Sequence, residues 1–271
     1  MISKFIRIQL QFFRLDLKNT YFRSYFFLYE ILSVYLTVLV YFYSSKAFVP
    51  DLNLKMDFYQ GNFFYYLFWG DFLLRIPQSL FSHPARNLRL AIQDNTFDSM
   101  VLMSGSPKLI LFSLATMSFL REIISMGLLL FCAALFFELK FDFLYLAQAV
   151  LIFFAFLPFF LGVGFILAGV VLFFERGETA LASLSTIMAI MAGMYFPIEV
   201  FPGFIQRLCN LFSPYGYFLR SSRLALSGRF DDWSMLVVSF IVGVCFFWVA
   251  LDFVDRVLNH KKKKGESLII N

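Results

Sequence analysis

The chain has 271 residues, of which 60% are hydrophobic and only 15% charged, with a formal net charge of +5. A soluble domain spreads roughly a quarter of charged residues along its length. Here the charges cluster between long apolar runs, which argues against an ordinary soluble domain and for a bilayer; with no basic domain outside those runs, the positive balance does not read as nucleic-acid binding.

Residues 1–23 are the first expected element. On a helical wheel Lys4, Arg7, Gln11, Arg14 and Lys18 form one polar stripe, and Ile6, Ile8, Phe12, Phe13, Leu15 and Leu17 fill most of the rest. Such a helix lies in the membrane interface with its cations at lipid phosphates. Six apolar runs follow, each read as a span of about 20 residues. They cover 25–43, 58–80, 109–131, 144–174, 180–196 and 233–254, and a basic tail occupies 255–271. The fourth run is long and holds Pro158, which predicts a tilt or a kink. The first is too long for the apolar core of a signal peptide and lacks a small-residue cleavage site, so no cleavable signal is expected.

Six spans put both termini on one side. That side collects Lys4, Arg7, Arg14, Lys18, Arg23, Arg86, Arg89, Lys108, Arg176, Arg256 and the lysines at 261–264. The excess of Lys and Arg makes it cytoplasmic, which places the chain as a multi-pass protein of the cell membrane. Cys132 and Cys245 fall in or beside spans and Cys209 stands alone outside, so no disulfide framework is expected.

Two stretches outside the spans are unusual. The cytoplasmic stretch from His83 to Pro107 reads as two short helical pieces. The first lies around Ala85 to Gln93. The second starts at Thr96 as a candidate cap, carries Asp98 in its first turn, where the helix dipole favours an anion, and stops at Ser104-Gly105-Ser106-Pro107. The stretch after the fifth span runs Gly193-Met194-Tyr195-Phe196-Pro197-Ile198-Glu199-Val200-Phe201-Pro202-Gly203, then an amphipathic segment at 204–212, Pro214, and a helical segment from Tyr215 to Leu226 before Gly228. It is too apolar for a solvated loop and too broken by Pro and Gly to span. Backbone of this kind is tolerated at membrane depth when buried in protein or lining a cavity, so it reads as re-entrant or interfacial helices near the outer leaflet.

Ionisable groups within spans are functional candidates. Asp71 and Arg75 lie four apart, share a helix face and can pair. Arg121 and Glu122 point about 100° apart and call for partners on other helices. One reading of these charges is a proton or ion relay. The other, favoured by their opposite signs, is a set of ties between helices. No phosphate-loop motif, H-E-x-x-H or His-rich site occurs, so no catalytic, cofactor or metal site is assigned to this chain. Gly162-Val163-Gly164 lies inside an apolar run, where small residues serve helix packing.

Two local patterns carry a resemblance. One is Asn95-Thr96-Phe97-Asp98, then Met100 to Met103, then Ser106-Pro107. The other is Gly193, Phe196-Pro197-Ile198, Pro202, the segment 204–212, Pro214, Arg223 and Gly228, in that order at the end of the fifth run. With the six-span layout, these resemble the permease subunits of ABC transporters of the type-2 exporter class. In the first pattern Asn95 and Asp98 replace the Gly and Glu usual in that family. The resemblance implies an all-α polytopic fold in which 86–103 is a coupling helix contacting a separate ATPase through Arg86, Arg89, Asn95, Thr96, Phe97 and Asp98. It implies that 1–23 is a connecting helix. It also implies that 196–226, with Phe196, Pro197, Glu199, Pro202, Pro214 and Arg223 beside Gly193, shapes the exit of a pathway. Two permease chains, alike or different, would form that pathway between them, and two ATPase chains holding ATP and Mg would dock below. Export of a hydrophobic, lipid-linked or polymeric substrate is the function so implied. An ion-coupled secondary transporter and a non-transporting membrane scaffold are the alternative readings; the absence of an internal repeat argues against the first of these.

Overall fold

The computed structural model describes residues 24–47, 63–94, 96–104, 107–137, 139, 141–174, 178–212 and 214–263. The expected interfacial helix at 1–23, Asn95, and the end of the basic tail lie outside the described residues. Within them the chain is almost wholly helical and has no strand. The helices in order are α1 (Ser24–Ala47), α2 (Phe63–Gln93), α3 (Phe97–Ser104), α4 (Pro107–Phe137), α5 (Phe143–Phe174) and α6 (Glu178–Met191). A 3-10 turn at Ile198–Val200 precedes α7 (Gly203–Phe212), α8 (Pro214–Leu226) and α9 (Trp233–Lys263).

Four of these are long and apolar enough to cross a membrane: α1 over Leu28–Ala47, α4, α5, and α9 over Trp233–Lys261. This is the architecture of an all-α membrane protein. α2 is as long as α4 but is not among the four. Its sequence carries Asp71, Arg75, Gln78, His83, Arg86 and Arg89. Its position explains why it can carry them, for α2 is the hub of the bundle, touching α1, α3, α4, α5, α6 and α8. Neighbouring helices bury Asp71 and partly cover Arg75, Gln78 and His83, while Arg86, near its end, is exposed.

The small residues set the register of the bundle. Gly162 receives the Phe246 ring, Gly169 the Phe253 ring, and Gly243 lies against Pro158 and Phe159. These matched pairs climb together along both helices, so α5 and α9 run parallel. Gly164 packs on the Leu80 carbonyl of α2 so closely that a Cβ there would lie 2.2 Å from the oxygen. Pro84, four residues on from Leu80, has no N–H to offer that carbonyl. The Gly164 backbone thus comes up to a carbonyl left without its helical donor. In hydrocarbon there is no water to drive association, so such close backbone approaches are what hold helices together. The Gly162–Gly164 pair does serve packing, as its place in an apolar run predicts. α4 runs antiparallel to α2, since Phe137 meets Phe64 while Ser125 meets Arg75.

Several expected boundaries shift. α2 continues through Pro77 and Pro84 to Gln93, so the helical piece expected around Ala85 to Gln93 is the end of α2 and not a separate helix. α9 extends nine residues past the expected limit at 254, to Lys263, and its Asp255 pairs with Lys108 at the start of α4. α5 is one helix through Pro158. The fifth run, expected to be helical to 196, stops at Met191. At about 21 Å, α6 is shorter than the ~30 Å hydrocarbon layer. Gly193 ends it, with φ +78°, its N–H bonded to the Ile190 carbonyl and that of Met194 to the Ala189 carbonyl. This is a Schellman cap, which needs the left-handed conformation only glycine adopts cheaply. Gly228, at φ +69°, closes α8 in the same way.

Candidate functional site

The segment after α6 is folded down against the hub. α8 begins at Pro214, where a missing N–H costs a helix nothing. The Tyr215 hydroxyl donates to the Pro77 carbonyl of α2 at 3.2 Å, and Arg223 lies beside Gly70, so α8 runs antiparallel to α2. Between these two points Tyr215 and Phe218 pack on Phe160 of α5 with ring centroids 5.0 and 5.2 Å apart.

Arg223 is the centre of this arrangement and only 7% exposed. Its Nη1 donates to the Gly193 carbonyl at 2.9 Å; its Nη2 donates to the carbonyls of Tyr66 at 3.1 Å and Met194 at 3.2 Å. The Tyr66 hydroxyl donates to the same Gly193 oxygen at 2.6 Å, and the guanidinium lies over the Tyr66 ring, 3.7 Å from its centroid. Carbonyl dipoles and an aromatic face therefore take up the charge of a buried cation. Gly70 makes room for it. A Cβ at this position would lie 2.6 Å from Arg223 Nη2 and 2.7 Å from the Met194 oxygen. One guanidinium thus fastens three elements: α8, the turn ending α6, and α2.

Of the outer residues singled out in the sequence, the structure brings Gly193 and Arg223 together. Pro197 is buried at the start of the 3-10 turn, while Phe196, Glu199 and Pro202 are exposed. Gln206 ties the turn to α7, its Nε2 donating to the carbonyls of Glu199 and Phe201. Tyr66 and Gly70 escaped the sequence reading. The signal for Gly70 was a lone glycine in an otherwise bulky aromatic helix.

The charges of α2 and α4 singled out in the sequence form a second cluster. Arg75 Nε donates to Asp71 Oδ2 at 3.0 Å, as their spacing predicts, and its Nη1 reaches Ser125 of α4 at 3.3 Å. Tyr41 of α1 lies close to the same carboxylate. The pair thereby ties α2 to α4 through Arg75, with Tyr41 of α1 alongside. Glu122 is half-buried on α4, close enough to Arg75 for their charges to interact, and Arg121 is half-buried beside it. From Tyr41 a groove of about 460 Å³ opens along α1, lined by Tyr29, Ser33, Thr37 and Tyr195 among aliphatic side chains.

At the opposite end α3 packs on α4 and α2. The hydroxyl of Thr96 donates back to the Ala91 carbonyl at 3.2 Å, whereas its own carbonyl accepts the first helical bond, from the Met100 N–H. Thr96 thus occupies the cap position, but its side chain is turned to α2. Phe97 is 4% exposed and belongs to the core, so it anchors α3 and does not present a docking face. Arg86 and Leu90 are exposed at this end, Arg89 is half-buried, and the Asp98 side chain lies outside the described residues. No metal-binding group of His, Cys, Asp and Glu occurs among the described residues.

No protein-family model matches the chain, and no curated protein matches its sequence.

Proposed function

We propose that this chain is the permease subunit of an ATP-driven exporter of the type-2 class, working with a separate ATPase and a second permease chain. The observation that carries the reading is the segment between α6 and α9. It turns at Gly193 and returns along α2 as the antiparallel α8, pinned there by Arg223 and Tyr215. A broken, largely apolar segment that is packed against the hub of a membrane bundle is a re-entrant hairpin. The parallel course of α5 and α9 means that the chain returns between them, which supports taking the short α6 as the fifth crossing. With the buried hub helix α2 taken as the second, this reading counts six spans. The groove along α1, part hydroxyl and part aliphatic, suits an amphiphile and forms one wall of the pathway, with the partner permease as the other.

The Asp71–Arg75–Tyr41 cluster acts as a tie between helices in this reading, because each charge already has a partner. The test is a pull-down of the tagged chain from its own membranes in mild detergent. A phosphate-loop ATPase should copurify, and Arg86→Glu with Leu90→Glu at the exposed tip should lose it while the chain still inserts. Intact, folded chain with no ATPase in repeated preparations would sink the proposal.

A further inference from the structure

A second groove opens on the other side of the hub, between α4 and α5, with a volume of about 320 Å³. Its floor is Leu73 and Ile76 of α2, and Ile123 and Val150 stand exposed on its two rims. Every side chain lining it is apolar. One ring from each wall closes its inner end, Phe119 and Phe153 stacking with centroids 6.0 Å apart and planes at 8°. Leu130 and Leu146 border the other end, which lies towards the connection at 138–142 between the two helices.

We propose that this groove holds one acyl chain of a bilayer phospholipid, drawn from the leaflet on the side of the α4–α5 connection. Three physical facts select that occupant. First, both walls are helices long and apolar enough to cross a membrane, so the medium at the mouth is hydrocarbon. Second, a lining without polar side chains offers nothing to water or to a headgroup, and either would lose hydrogen bonds there. Third, the dimensions fit. The wall from Phe119 to Leu130 is about 16 Å long at about 1.5 Å per residue. That is about half of the ~30 Å hydrocarbon layer, the depth of a single leaflet. Leu146 lies within one turn of the start of α5 at Phe143, so a headgroup can sit at the exposed Phe143 while its chain descends between the helices. A helix from a second chain, about 10 Å across, is too wide for this volume.

Gly127 gives a clean way to fill the groove, because a Cβ added there meets nothing within 4 Å. Wild type, Gly127→Phe and Val150→Phe are purified in mild detergent, mixed with palmitoyl-oleoyl phosphatidylcholine and examined by native mass spectrometry. Leu135→Phe, on α4 but away from the groove, is the control. The expected result is one lipid per wild-type chain surviving activation that strips the others, with retention about tenfold lower in both filled variants and unchanged in the control. Equal retention in all four proteins, or none in wild type, would leave only loosely bound annular lipid and overturn the proposal. A changed dimer fraction in the filled variants with lipid retention unmoved would make the groove a chain–chain interface and overturn it equally.

Discussion

α2 and α9 are both 31 residues long, yet they live in different solvents. α2 holds an ion pair, two prolines and a close-packed glycine, and most of its residues between Phe63 and Leu74 are buried. α9 carries an almost uncharged run from Trp233 to Leu251, most of it exposed, and its one extensive partner is α5. The outward faces of α9 are apolar because nothing else among the described residues covers them. A helix enclosed by other helices is released from that demand and can carry polar ties.

The comparison breaks most readily at Gly70. Replacing it with Val should force Arg223 out of its seat, combining overpacking with the loss of charged hydrogen bonds, and destabilise the fold by about 4 kcal/mol. A thermal-unfolding series in detergent measures this, and a fold as stable as wild type would mean that the clamp is dispensable. Next in size is Ile241→Asp on α9. An unshielded charge near the middle of a lipid-facing helix should cost about 3 kcal/mol in a translocon insertion assay, although α2 carries Asp71 at similar depth. Asp71→Leu should also cost about 3 kcal/mol by stranding Arg75, and the double variant Asp71→Leu/Arg75→Leu should cost less than the single one. Gly164→Ala, set against the Leu80 carbonyl, should cost about 2 kcal/mol by the same unfolding measurement. Val238→Leu on the exposed face of α9 should stay within about 0.5 kcal/mol of wild type.

The sequence exposed the long apolar elements. α1, α4, α5 and α9 were legible as long apolar runs, and Asp71 with Arg75 as a pair four apart, because both signals are local. The helical part of the fifth run was misjudged by five residues because Ala192 to Phe196 is as apolar as a helix interior, while the stop depends on one left-handed glycine. The burial of Phe97 was not legible for a different reason. A lone aromatic at a turn between two long helices reads equally well as exposed or as an anchor, and its burial depends on the position of α3 on α4. The Arg223 seat was half legible: Gly193 and Arg223 stood out in an ordered series, but their joint partners Tyr66 and Gly70 lie more than 100 residues upstream, beyond any local pattern.

The matched notches along α5 and α9 bear on how the chain is made. Gly162 waits for Phe246 and Gly169 for Phe253, each partner 84 residues later in synthesis. The face of α5 that will receive α9 must therefore stand uncovered in the membrane while everything between them emerges from the ribosome. α9 docks after them, and its two phenylalanines act as teeth that fit these notches, so the docking of α9 also checks its register.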